Sequence, residues 1–167
     1  MSGGTRCLST ANGEPTFKNA RYLVAGGEYE YWSWHREKQQ FGDYMSDSVD
    51  PVLSAGLLGR IETDHKLCDE VWLEPTPGLT PGHVSVRIAS KGEQALIMGD
   101  FIHSPCQMAR PHWCTTDSDQ KAAESTRRQM LAQLSAERTF VIGTHFAGPT
   151  AGRVIRDGEV WRFKTSL

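Results

Sequence analysis

The sequence predicts an α+β domain, and three observations carry that prediction. His83-Val84-Ser85-Val86-Arg87-Ile88 alternates apolar and polar residues, the period of a half-buried strand. Asp117 to Ala136 carries Ala123, Met130 and Leu134 on one helical face. Two alternating segments, Arg153 to Arg156 and Glu159 to Phe163, flank Asp157-Gly158, which is a hairpin signal.

The elements follow in order. The first twenty residues are rich in Gly, Ser, Thr and Asn and read as loop. Ala20 to Val24 is a short strand. Glu28 to Lys38 is a helix whose Tyr29, Trp32 and His35 recur at helical spacing, as core-packing residues do. Asp47 to Leu58 is a second helix, with Pro51 in its first turn, where a missing N–H costs nothing. Val71 and Leu73 mark a strand before a Pro/Gly loop. Lys91-Gly92 is a turn, and Ala95 to Met98 is a continuous apolar run, as for a strand buried on both faces. Phe101 to Ser118 is a loop long enough to suggest function. Asp117 and Gln120 have capping-box spacing at the start of the long helix. Phe140 to Ile142 is another short buried strand, and Asp-Gly favours a type I′ turn in the last hairpin.

At 167 residues the chain fits one domain, 1–167, with no internal boundary or extended repeat. A formal charge of −2 with no run of one sign gives no electrostatic footprint for nucleic acid. No apolar run is long enough to span a membrane, and the first residues lack the apolar stretch of a signal peptide, so the expectation is a cytoplasmic protein. Cys7, Cys68, Cys106 and Cys114 form no C-x-x-C pair and read as buried or idle thiols.

Three residues stand out chemically: His83, Asp100 and His145. Each lies beside a strand-like run and next to glycine, in Gly82-His83, Gly99-Asp100 and Gly143-Thr144-His145. Strand ends on a rigid scaffold can aim side chains at one point, and glycine lets the backbone come close to a site. Imidazole and carboxylate suit zinc, manganese or iron. A histidine met singly is more often a hydrogen-bonded core or surface residue. His35, His65 and His112 show no ligand spacing, although His112 and Trp113 could line a pocket. Arg127-Arg128 reads as a solvated helix face.

The string Thr76-Pro77-Gly78-Leu79-Thr80-Pro81-Gly82-His83, with Met98-Gly99-Asp100 and Gly143-Thr144-His145-Phe146, resembles the metallo-β-lactamase-fold hydrolases, nearest their lactonase-like branch. The similarity runs from about Pro15 to Phe163. It implies a four-layer αββα sandwich, here incomplete, with up to two zinc ions at one edge of the sheets. It places His83 and His145 as metal ligands and Asp100 as the carboxylate bridging both ions. His103 falls where lactonases carry a tyrosine near the substrate, and an imidazole there can donate to an oxyanion or shuttle a proton.

The family's His-x-His-x-Asp-His motif is not found, and the chain opens where that motif would end. Two consequences are expected. Ligand count predicts weak zinc binding and little turnover, because a catalytic zinc usually has about three protein ligands and a water. Uncovered sheet edges predict self-association or a marginally stable monomer. The leading expectation is a metal-dependent hydrolase that takes a small-molecule lactone or carboxylic ester. The alternative is a non-catalytic module that keeps the scaffold.

Overall fold

A computed structural model describes residues 9–10, 13–36, 43–114 and 116–165. The chain forms two compact units, Met1–Glu62 and Thr63–Leu167.

In the first unit, β1 (Tyr22–Ala25) pairs in parallel with β2 (Leu58–Ile61). Between them come α1 (Gly26–Trp34), a π-helical turn (Met45–Val49) and α2 (Asp50–Ser54), with Pro51 in the first turn of α2 as expected. The helix expected to reach Leu58 stops at Ser54, because Gly56 turns the chain at φ +70° and Leu58 opens β2. The aromatic residues of α1 do not form core: no residue of that helix is buried. They are satisfied locally instead. The Trp32 indole N–H donates to Glu28, Tyr31 stacks on His35 at 4.3 Å, and Arg60 lies over the Tyr29 ring. The part of the expected helix beyond Arg36, up to Lys38, lies outside the described residues, as does Cys7.

The second unit is built on a seven-stranded sheet, ordered β3 (Lys66–Cys68), β4 (Val71–Pro75), β5 (Val84–Ser90), β6 (Glu93–Ile97), β7 (Phe140–Ile142), β8 (Ala151–Asp157) and β9 (Val160–Lys164). Every pairing is antiparallel except β6 with β7. A parallel pair needs a crossover, and this one carries α3 (Cys106–Ala109) and α4 (Gln120–Glu137). Met130, Leu131 and Leu134 of α4 join Leu96, Val141 and Val154 of the sheet in one buried cluster. β6 and β7 are not buried on both faces as expected. Leu96 and Val141 are fully buried, but their strand neighbours Ala95, Ile97, Phe140 and Ile142 are only half-buried.

The two hairpin turns differ. Lys91 and Gly92 both have positive φ, 51° and 82°, as a type I′ turn demands. The last hairpin pairs Asp157 with Val160, so its loop is Gly158-Glu159 rather than Asp157-Gly158. Only Gly158 has positive φ there, which is the type II′ pattern and not the expected I′. The α4 cap also shifts. Asp119, not Asp117, accepts from the backbone N–H groups of Lys121 and Ala122, both at 3.0 Å. Among the described residues, Cys68, Cys106 and Cys114 are free thiols, and no helix is long and apolar enough to cross a membrane.

Candidate metal centre

Strand register brings the motif residues together. In the parallel pair, Ile97 of β6 lies opposite Ile142 of β7. Asp100 and His145 each lie three residues past those partners, so they emerge side by side from one end of the sheet. The His145 Nε2 stands 2.9 Å from an Asp100 carboxylate oxygen. On the other side, β5 runs antiparallel to β6 with Val86 opposite Ile97. Continuing that register carries His83 opposite Asp100, and the Asp100 backbone N–H donates to His83 Nε2 at 2.9 Å. The three residues expected to converge therefore do so just beyond the ends of three neighbouring strands.

His83 is fixed by its own loop. Its Nδ1 lies 2.8 Å from the Thr76 hydroxyl and 3.1 Å from the Thr76 carbonyl, which accepts only from a protonated nitrogen. That sets the tautomer with the lone pair on Nε2, the form a metal ligand needs. Here the Nε2 lone pair is occupied by the Asp100 N–H. The Thr76 hydroxyl also meets the Ser85 hydroxyl, which donates to the Met98 carbonyl. Gly99, at φ +61°, has to be glycine: a Cβ would come within 2.9 Å of His83 Nε2.

His103 is held differently. Its ring stacks on His145 with centroids 4.8 Å apart, and its Nδ1 is buried without a hydrogen-bond partner. Burial pushes its pKa below the usual histidine value, against an opposing pull from Asp100 and with further lowering from His145 and Arg127. The ring is therefore neutral near pH 7, with one N–H to donate and one lone pair to offer. Its backbone is pinned by Gln107, whose side-chain oxygen accepts from the N–H of His103 at 2.7 Å and of Ser104 at 3.1 Å. The Gln107 amide in turn donates to the Trp113 carbonyl at 2.6 Å.

Arg127 completes this support, and it is not on a solvated face. Its side chain is 1% exposed and forms a two-pronged ion pair with Asp117, itself 1% exposed. It also donates to the carbonyls of Phe101 and Pro111. One side chain on α4 thus ties down both ends of the segment expected to be a loop, which also holds the short α3. The sequence reading missed Gln107, Asp117 and Arg127. A signal for Arg127 existed: it falls on the same face as Ala123, Met130 and Leu134, where a solvated arginine has no place. Arg128, next to it, is half exposed and pairs with the exposed side of the helix through Glu124.

The residues fit a divalent ion. Asp100, His103 and His145 each offer a ligand atom, and these atoms lie within 4.8 Å of one another. Two imidazoles and one carboxylate are a donor set for a borderline cation such as zinc. The unpartnered His103 nitrogen and the fixed His83 tautomer add to that fit. His83 lies outside the three-residue group but touches it through the Asp100 backbone. His112 is exposed and takes no part, and His35 and His65 do not belong to the group.

A family model for the metallo-β-lactamase superfamily matches residues 13–145. The chain belongs to the metallo-β-lactamase superfamily. Solved structures share the fold. AidC, a dizinc quorum-quenching lactonase in complex with a product N-hexanoyl-L-homoserine, is 19% identical, with a TM-score of 0.81 over 96% of this chain and 59% of its own. The hydrolase AbOPH of the β-lactamase superfamily is 23% identical, with a TM-score of 0.82 over 96% of this chain and 59% of its own. An N-acyl homoserine lactone hydrolase with N-hexanoyl-L-homoserine bound at its catalytic metal centre is 25% identical, with a TM-score of 0.64 over 79% of this chain and 49% of its own. The chain thus spans three fifths or less of the length of these proteins. No curated protein matches the sequence.

Proposed function

We propose that this superfamily member serves in metal-dependent hydrolysis of a lactone or carboxylic ester, with zinc as the ion. The observation that carries the reading is the meeting of Asp100, His103 and His145 at one end of a registered parallel strand pair, with His83 across from Asp100. Lactone products bound by the related structures support the substrate class.

Asp100 and His145 would hold the ion, with His83 joining them by giving up its bond to the Asp100 N–H. A bound zinc supplies an acidified water and polarises the carbonyl under attack. His103 is the residue facing the substrate. Its neutral ring donates a hydrogen bond to the carbonyl or leaving oxygen and can pass a proton to the departing group. Gln107 keeps that ring in place. Substrate enters a cavity of about 290 Å³ that His103 and His145 line together with Ser104, Phe146 and Phe163.

The rival reading, a binding module without catalysis, draws on the Nε2 of His83 being occupied by the Asp100 N–H. Turnover separates the two. With zinc added, an aryl ester or γ-lactone should be hydrolysed slowly, and Asp100→Ala should abolish the rate. Turnover that survives Asp100→Ala, or none at any zinc concentration, rejects the hydrolase.

A further inference from the structure

We infer that the cavity between the end of α4 and the β8–β9 hairpin binds a small oxyanion of high charge, of the class in which several phosphate groups are linked. Binding there needs neither the metal centre nor its histidines, so it stands apart from the hydrolase reading.

The cavity has a volume of about 410 Å³. Its walls carry four cations, Arg138, Arg153, Arg156 and Lys164, together with Ser135 and Thr165 and no acidic side chain. A concave space of this size suits a small molecule. Among the described residues, no carboxylate forms an ion pair with Arg138, Arg153 or Lys164. Arg156 has Glu159 at 3.9 Å, but both side chains are exposed, and such a pair is worth little. The whole chain has a formal charge of −2, so this concentration of positive charge is local. An adjoining cavity of about 340 Å³ shares Arg138 and Arg153 but is also lined by Glu93 and Glu137, which makes it the poorer anion site.

Three of these cations stand where the fold alone would not put them. Arg153 of β8 lies directly opposite Lys164 of β9. Like charges in directly opposed positions weaken a strand pair. Arg138 ends α4 at φ +57°, in the left-handed region, where glycine is the least costly residue. A cation at a helix C-terminus offsets the helix dipole, which accounts for one positive charge there and not for four. Arg153 is held in place by donating to the Arg138 carbonyl and by lying over the Phe140 ring, 5.9 Å from its centroid. Arg156 is held over the Trp161 ring at 4.7 Å. Guanidinium forks grip phosphate oxygens in pairs. A ligand of linked phosphates meets several of these cations at once and relieves the repulsion among them, whereas a single phosphate reaches fewer.

The experiment is calorimetric titration of the metal-free chain with tripolyphosphate. Binding should be saturable, should weaken as added salt screens the charges, and should be far tighter than that of orthophosphate. Arg138→Gly and Lys164→Gln should each weaken it by about tenfold or more. Arg128→Gln removes an equal charge from an exposed site elsewhere on α4 and should leave it unchanged. Without ligand, both cavity variants should unfold at a higher temperature than the parent, because each removes a repelled charge, so that lost binding is not lost folding. Because no metal or turnover is involved, failure of the hydrolase reading would leave this result intact. Absence of saturable binding, equal affinity for orthophosphate, unchanged affinity in both cavity variants, or equal weakening by Arg128→Gln would overturn the inference. Capture of the chain by phosphatidylglycerol vesicles that tripolyphosphate does not displace would also overturn it, and would make the cations a membrane contact.

Discussion

His83 and His103 flank Asp100, yet two different kinds of structure hold them. His83 sits in a self-contained loop. Thr76, Ser85 and Gly99 fix its ring and its tautomer, and all lie within a hairpin and the residues next to it. His103 sits on a segment that does not hold itself. Its backbone depends on Gln107, and the segment depends on Arg127 from a helix well beyond it. A local motif can be read from a sequence as a motif. A long-range polar clamp shows only as a residue out of place on its helix.

The strongest way to break this contrast is to remove the clamp. Arg127→Met leaves the Asp117 carboxylate buried and unpaired, and should cost about 3–5 kcal/mol in urea unfolding. Arg128→Ala, one residue on, loses only an exposed pair and should cost under about 0.5 kcal/mol. Similar values for the two would show that the clamp carries no weight.

A finer cut acts on His103 alone. Gln107→Leu strands two backbone N–H groups and the Trp113 carbonyl, at about 1–3 kcal/mol. Amide hydrogen exchange at His103 and Ser104 should quicken while the exchange of His83 stays as it was. Unchanged exchange at both would mean that Gln107 is not what fixes the segment.

How much of this the sequence revealed follows the same division. The strands flanking the motifs, the long helix and the last hairpin were legible, because alternation, helical spacing and Asp-Gly are local signals. The meeting of His83, Asp100 and His145 was legible from the shared glycine contexts and the family resemblance. What was not legible depended on partners distant in sequence. The aromatic residues of α1 match a core helix in spacing but are satisfied by one another and by Glu28 and Arg60. Asp117 matches a capping residue in spacing but belongs to Arg127, which leaves the cap to Asp119.

Asp119→Ala tests that last correction. Losing the cap of α4 should cost about 1 kcal/mol. The smallest effect is pH dependence. Burial lowers the His103 pKa, so the folded chain binds that proton less readily than the unfolded chain, whose value is about 6.5. Its contribution to stability is complete above that value and is lost as the pH falls through the lower, folded pKa. In metal-free protein, His103→Gln should flatten the decline of thermal stability on acidification. A decline as steep as in the parent would place the proton uptake elsewhere.

The central claim is that Asp100 and His145, joined by His83, hold one cation beside His103, and zinc titration by calorimetry tests it most directly. The account predicts saturable but weak binding of zinc that is lost in both Asp100→Ala and His145→Ala and retained in Arg128→Ala. Zinc binding of undiminished affinity in the Asp100→Ala, His145→Ala double variant, or no saturable binding by the parent chain, would contradict it.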